Sequence, residues 1–424
     1  MRTVRKVRTV RWVPTVRWVP TVRWVPIVLV LVLAACNREP RTWRELQGHV
    51  SGLDAAAKDA AIEKFVASKG GTPIIENQSR MIFLVKDRNG ATPRVVGDFN
   101  AWAVTPQGYD GSIGKTTRID GSSWSFLEST SYTNARLEYG LLFDEQKEYI
   151  ADPSNTRTVQ AFAGPRSEVR MPFFVAQPEI DELGPQTPGP QKAQTSMLGE
   201  LIADSVSSRA LGGTRRVWYY LPPGYAAAKD TLYPVVYVLD GANYVEKMQV
   251  PKVLDHLIAN KAIPPVIAVF SEPADRQEEY SRSPRWRAFI ADELVPSVDK
   301  RFRTFPTPDH RVILGSSLAA YGAIDLAVAE PSVFGLCAAI APPLQAATVV
   351  ANQPSARAAV VSIKFFVMGG VYDSMIDGAR LLRTTLDNYQ APVSYLEVPE
   401  GHNTNTFRAH LDDALRALLP KVGQ

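Results

Sequence analysis

RVILGSSLAAYGAIDLAVAE, residues 311–330, decides how the rest of the chain is read. Arg311 to Leu314 is a β-branched apolar run of strand type, Gly315 to Ala319 is a turn of small residues, and Tyr321 to Glu330 reads as a helix that Pro331 stops. A strand, a sharp turn and a helix with serine at the apex form the context of a nucleophile elbow. Such a turn strains the serine backbone, so the residues two before and two after it must be small. Gly315 and Ala319 flank Ser317 in that way, although Ala319 is one methyl group larger than the second glycine of GxSxG. Serine between small residues is also common in ordinary turns, so the pentapeptide needs partners elsewhere.

A serine becomes a competent nucleophile when a histidine takes its proton and a carboxylate fixes that histidine's tautomer. Asp373 follows the strand-like KFFVM (364–368) and the loop GGVY, and His402 lies in EGHN just after VSYLEV (393–398). Ser317, Asp373, His402 is the chain order of α/β-hydrolases, each residue at the C-terminal end of an expected strand. Of the other four histidines, His49 precedes the first expected domain, His256 and His410 fall in helical patterns, and His310 precedes a strand. Asp377 is the rival acid, a turn into the following helix. For the oxyanion hole, one donor is the N–H of Leu318, and the other is expected after VVYVLD, at Gly241 or, preferably, Ala242. Water activated by His402 would complete such a reaction, so no metal or cofactor is expected.

Outward from this site, RVWYYL (216–221), YPVVYVLD (233–240) and VIAVF (266–270) are further continuously apolar runs separated by helical stretches. That alternation indicates a mainly parallel sheet with helices on both faces, an α/β-hydrolase expected over 196–424. Residues 176–195 hold four prolines and two glycines and read as a linker. Before it, 80–175 carries short runs such as MIFLV, RVVGDF and RLEYGLLF between Asn-Gly, Gly and Pro signals, the spacing of a small β-sandwich. Residues 36–79 form an N-terminal helical segment, with Leu53, Ala57, Ala60, Ile62 and Phe65 at amphipathic spacing up to Gly70 and Gly71.

At 424 residues and 45% hydrophobic, the chain has material for more than one core, which excludes a disordered protein. Its net charge of +4 comes from the leader: seven basic residues and no acid precede Cys36, leaving 40 basic against 43 acidic residues. The charge therefore gives no reason to expect a nucleic-acid partner. Residues 1–35 contain the hexapeptide TVRWVP three times, then IVLVLVLAA, nine apolar residues that are too few to span a bilayer. LAAC (33–36) resembles a bacterial lipobox, which makes Cys36 the expected lipidation site and membrane anchor in the cell envelope. The hexapeptides, 18 residues in total, are too short for a repeat fold and read as a reiterated leader. Two cysteines support neither a disulfide framework nor a four-ligand zinc site, and Cys337 lies in an apolar run as a structural thiol. YDGSIGKT (109–116) lacks the first glycine of a phosphate loop and reads as a turn.

The chain after the leader resembles the esterase family of α/β-hydrolases, and within it the enterochelin (ferric enterobactin) esterase-like branch. The resemblance rests on GTPIIE, VVGDFNAW, YIADPSN, RRVWYYLPPGY, YPVVYVLDG, RQEEY, ELVPSVDKRF, LGSSLAA and EGHN, in that order. It implies a triad at Ser317, His402 and Asp373 and an E-set-like first domain akin to glycogen-binding modules, with GDFNAW as the shared piece. Trp102 then reads either as a sugar-stacking residue or as a core or interface tryptophan. Arg276, Arg282, Arg285 and Arg287, interleaved with Tyr280 and Trp286, suit an anionic aromatic substrate or, equally, a solvated loop and helix start. Arg276 is the candidate substrate contact, with a structural pair to Glu279 as the alternative. The expected protein is a secreted, lipid-anchored serine esterase acting on a small-molecule or glycan ester: a siderophore trilactone, or a feruloyl or acetyl ester on polysaccharide. The rival is a non-catalytic carbohydrate- or siderophore-binding lipoprotein, whose one support is Ala319.

Overall fold

The computed structural model describes residues 39–420 apart from 89, 144–147, 162–163, 182–196 and 352–355. Cys36, the hexapeptides and most of the expected linker lie outside the described residues. The chain enters through two helices with sequence-encoded starts. Thr42 accepts from the Glu45 N–H, and the Glu45 carboxylate reaches back to the Thr42 N–H, closing a capping box on α1 (Trp43–Val50). Asp54 caps α2 (Ala55–Ser68).

Ten short strands follow: β1 (Ile74–Glu76), β2 (Arg80–Lys86), β3 (Arg94–Gly97), β4 (Val104–Thr105), β5 (Gly108–Tyr109), β6 (Thr117–Arg118), β7 (Trp124–Thr130), β8 (Arg136–Leu142), β9 (Thr158–Ala161) and β10 (Gly164–Arg170). They build two four-stranded antiparallel sheets, in the orders β1-β2-β7-β6 and β3-β8-β10-β9, plus the β4-β5 hairpin. Because successive side chains of a strand point to opposite faces, β2 serves two cores. Met81, Phe83 and Val85 pack with Val95, Leu137, Tyr139 and Val169 of the second sheet, while Ile82 and Leu84 pack with Trp43, Leu46, Ile62 and Phe65 of the helices. The first sheet therefore starts at β1, inside the segment read as helical.

The remaining strands are β11 (Glu200–Ser208), β12 (Gly213–Leu221), β13 (Val235–Leu239), β14 (Ile267–Ser271), β15 (Arg311–Ser316), β16 (Leu336–Ile340), β17 (Lys364–Gly370) and β18 (Val393–Val398). They form one sheet in the order β11-β12-β14-β13-β15-β16-β17-β18. All pairings from β14 to β18 are parallel; β11 and β12 are the antiparallel exceptions. Residues 235, 237 and 239 of β13 enter one core and 236 and 238 the other, so the strand is buried on both faces. That double burial explains its unbroken apolar run. From β13 the order steps to β14 on one side and to β15 on the other, and the loops after β13 and β15 flank the crevice where open α/β sheets bind ligands.

The two halves meet in a charged seam. Arg136 of β8 donates to Asp181 Oδ1 at 2.5 Å and to Glu400 Oε2 at 2.5 Å, with all three side chains buried. His410 lies 3.0 Å from the other oxygen of Glu400 and 2.9 Å from Asp413. Burial alone would raise the Glu400 pKa, but Arg136 and the His410 hydrogen bond hold it at about 2. Burial alone would lower the His410 pKa, yet the hydrogen bonds to Asp413 and Glu400 raise it to about 9. The stability contributed by His410 is therefore complete below its ordinary value of 6.5 and is lost as pH rises through about 9. Wild type is expected to exceed His410→Gln by about 3 kcal/mol at pH 6 in urea unfolding, with the gap closing by pH 10. A gap that does not change with pH would refute this charge state.

Candidate active site

β15 delivers its C-terminal residue to the elbow, and Ser317 adopts φ 57°, ψ −128° before the helix α3 (Leu318–Ala329) begins. A positive φ strains a residue that has a Cβ, and here it holds the hydroxyl out of the strand–helix corner. A Cβ on Gly315 would run into the backbone of Ala319 and Ala320, so glycine is required there. The Ala319 methyl instead sits fully buried in the core under α3. The departure from GxSxG therefore takes no clearance from the elbow.

His402 Nε2 lies 3.0 Å from Ser317 Oγ, and His402 Nδ1 lies 2.8 Å from Asp373 Oδ2. Asp373 is buried, and its second oxygen accepts from the Met375 N–H at 2.7 Å. Both carboxylate oxygens are thus committed and the imidazole is held from behind. Phe407 meets the His402 ring edge-on at 5.1 Å. Asp377, the rival acid, projects from α4 (Ile376–Tyr389) with its side chain 82% exposed beside Arg380, and takes no part in this chain of hydrogen bonds.

The N-terminal sheets brace the loops that carry both partners. Tyr372, next to Asp373, places its hydroxyl 3.0 Å from Ser131 Oγ and accepts from the Tyr132 N–H at 3.0 Å. Gly401, next to His402, packs against Asp98, and a Cβ there would collide with the Asp98 carboxyl. Asp98 in turn accepts from the Glu138 N–H at 2.7 Å and from Trp102 Nε1 at 2.9 Å. Asn405, in the helix α5 (Thr404–Ala409), donates to Glu138 at 2.7 Å. Burial pushes the carboxyls of Asp98 and Glu138 well up from their ordinary values. Sequence reasoning singled out Trp102, within GDFNAW, as a candidate interface tryptophan and Gly401 only as part of EGHN; the roles of Asp98, Glu138, Ser131, Tyr372 and Asn405 it missed.

The oxyanion side is half as expected. Leu318 opens α3, so its N–H has no acceptor within the helix and points out at the serine end. The N–H of Ala242, on the neighbouring loop, donates to Glu272 Oε2 at 2.7 Å. Gly241 is not the residue of positive φ in this loop. Asp240 is, at φ 63°, whereas Gly241 is needed because a Cβ would press on the Phe270 backbone.

Residues 208–418 match the family model described as putative esterase. Over these residues the chain belongs to that family. Curated relatives include the uncharacterized protein YbbA of Bacillus subtilis, 26% identical over 139 residues, covering 29% of this chain and 54% of YbbA. An endo-1,4-beta-xylanase/feruloyl esterase of Xylanibacter ruminicola is 26% identical over 141 residues, covering 30% of this chain and 19% of that protein. The matched part of this chain thus spans about half the length of YbbA. Among solved structures, ferric enterobactin esterase from Salmonella typhimurium aligns with TM-score 0.67 at 19% identity, over 84% of this chain and 98% of its own. Enterobactin esterase from Shigella flexneri aligns with TM-score 0.63 at 20% identity, over 84% and 98%. These likenesses establish the fold, α/β-hydrolase-like around the mixed sheet.

Within the esterase region each arginine of the arginine-aromatic cluster has a partner inside the chain. Arg276 grips Asp240 through two hydrogen bonds, at 2.7 and 2.6 Å, and Glu279 pairs with Arg215 instead of Arg276. Arg285 donates to the carbonyls of Ala210 and Leu211, while Arg282 and Arg287 face Asp325 at 3.6 and 3.4 Å. Tyr280 and Trp286 are buried. Trp102 is half-buried, with Arg166 over its ring at 4.9 Å and Tyr149 edge-on at 5.4 Å. Cys337 is buried in β16, where burial pushes its thiol pKa far up. No group of three or more potential metal ligands occurs among the described residues, and no described helix is long and apolar enough to cross a membrane. Gly315→Ala is expected to lower fluorophosphonate labelling of Ser317 at least tenfold while the far-ultraviolet circular dichroism stays unchanged; full labelling would show that the elbow tolerates the methyl.

Proposed function

We propose that the chain is a serine esterase that hydrolyses carboxylic esters through an acyl-enzyme at Ser317. The observation that carries this reading is the unbroken hydrogen-bond chain from Ser317 through His402 to Asp373, with the serine on a strained elbow. Ser317 Oγ attacks the ester carbonyl as His402 Nε2 takes its proton, and Asp373 keeps the Nδ1 proton in place and stabilises the imidazolium. The carbonyl oxygen becomes an oxyanion facing the N–H groups of Leu318 and Ala242. Collapse expels the alcohol, which receives the proton from His402. Water then attacks the acyl-enzyme with His402 as base, releasing the acid and Ser317.

For the substrate, the reading is a siderophore-type, enterochelin-like ester. Its support is the fold likeness to enterobactin esterases, which runs over 98% of their length and so takes in the N-terminal sheets as well. A feruloyl or acetyl ester on polysaccharide is the second reading, favoured by the partial match to the Xylanibacter protein. We read the two N-terminal sheets as an E-set-like sandwich, on the strength of GDFNAW, that walls the catalytic loops. We propose the domain limits read from the sequence, with the sandwich begun at β1 and with Ile180 and Asp181, buried at the start of the expected linker, counted with the seam. The leader and LAAC (33–36) support lipidation at Cys36 and a place on an envelope membrane.

Hydrolysis of p-nitrophenyl acetate, methyl ferulate and ferric enterobactin by the full chain, beside Ser317→Ala, tests the reaction and the substrate together. Turnover of at least one ester is expected, and it should vanish in the variant; the preferred ester selects between the two substrate classes. No turnover, with no fluorophosphonate labelling, would leave a binding lipoprotein. Metabolic labelling with an alkynyl palmitate in a bacterial host is expected to mark the chain and to disappear in Cys36→Ala; equal labelling of both would overturn the anchor.

A further inference from the structure

The loop that presents Ala242 is fixed from several sides. Asp240 takes the left-handed conformation, its N–H donates to the buried Tyr280 hydroxyl at 2.9 Å, and its carboxylate is gripped by Arg276. The Gly241 backbone lies against Phe270. β13 and β15 are adjacent and parallel, so this loop and the Ser317 elbow emerge side by side from the same end of the sheet. The Ala242 N–H thus sits on a fixed loop beside the elbow, and its partner in the resting chain is the carboxylate of Glu272 at 2.7 Å.

Glu272 follows directly on β14, the strand on the other side of β13. Its backbone is held, since its N–H donates to the Arg216 carbonyl, but its side chain is only half-buried. Of the two groups in this hydrogen bond, the loop is fixed by the contacts above, whereas the carboxylate is partly exposed to solvent. Burial raises the Glu272 pKa, the Ala242 N–H opposes that rise, and Asp240 adds to it; Arg216 and Glu246 are the other charges facing the group.

We propose that Glu272 is a plug on the oxyanion hole: its carboxylate occupies the Ala242 N–H in the resting enzyme and must give it up before the substrate carbonyl can bind there. The proposal rests on the esterase reading above. A hydrogen bond from an N–H to an ionised carboxylate is stronger than one to a neutral ester carbonyl, so a simple ester competes poorly for the donor. An ester with its own hydrogen-bond donor beside the carbonyl has an advantage, because that donor can take over the displaced carboxylate. Glu272 therefore acts as a specificity-determining residue that selects esters carrying an adjacent N–H or O–H.

The test compares p-nitrophenyl butyrate with the p-nitrophenyl ester of N-acetylglycine, which has similar length and an amide N–H next to the acyl carbonyl. Wild type, Ser317→Ala, Glu272→Ala and Glu272→Gln are measured as full chains, with active sites counted by fluorophosphonate titration. Glu272→Ala is expected to raise kcat/KM for the butyrate about tenfold and to bring the ratio between the two esters towards one. The nearly isosteric Glu272→Gln should shift both quantities in the same direction by less. Turnover that is lost in Ser317→Ala but unchanged or lowered in both Glu272 variants overturns the plug alone. Absence of turnover in wild type, or turnover that survives in Ser317→Ala, removes the esterase reading and the plug with it.

Discussion

The guanidinium of Arg136 is the charged centre of the seam between the two halves. It sits out of water between Asp181 and Glu400, on chain segments that come together only in the folded protein. Two carboxylates and one guanidinium would be costly to bury as separate charges, and removing the cation alone would leave the acids stranded at a cost of about 3–5 kcal/mol. Satisfied together, they fix geometry more than they add stability. Glu400 lies two residues before His402, so the ion pair that joins the halves also sets where the imidazole loop leaves β18.

The contacts of Tyr372 and Gly401 extend the same constraint. Each lies beside a member of the hydrogen-bond chain, and each is fixed by a residue more than 200 positions away in sequence. The loops that carry Asp373 and His402 thus have one wall made by the large sheet and another made by the small ones. His410 extends the seam on the far side of Glu400 as a second cation, charged at neutral pH only because two acids surround it.

The sequence revealed what local rules govern. Gly315, Ser317 and the helix after them were legible because an elbow restricts residue size at fixed offsets. Asp373 and His402 were legible because strand ends in a parallel sheet gather at one edge. Six of the strands of the large sheet were visible as apolar runs. β11 was not, since an edge strand exposed along much of its length carries polar residues such as Asp204 and Ser205. β16, with two alanines in its five residues, lacks the β-branched composition that marks a strand. The Arg136 seam and the Glu272 hydrogen bond are pairings across 264 and 30 positions, set by tertiary packing, for which a lone sequence carries no periodicity to read. The partners of the arginine cluster, Asp240 for Arg276, Asp325 for Arg282 and Arg287, and two carbonyls for Arg285, were hidden for a related reason.

The contact between Gly401 and Asp98 bears on how such a protein can be inherited. Sandwich modules that bind a ligand on their own can pass between genes as cassettes, because their borders are solvent and linker. Here the small sheets end in a carboxylate set against a glycine of the histidine loop, with no space between them for even a methyl group. A recombinant that joined these sheets to another hydrolase would place the same carboxylate against whatever side chain that enzyme carries, beside its own histidine. The two halves are therefore coupled at this point: any side chain larger than hydrogen at position 401 needs a matching change at Asp98.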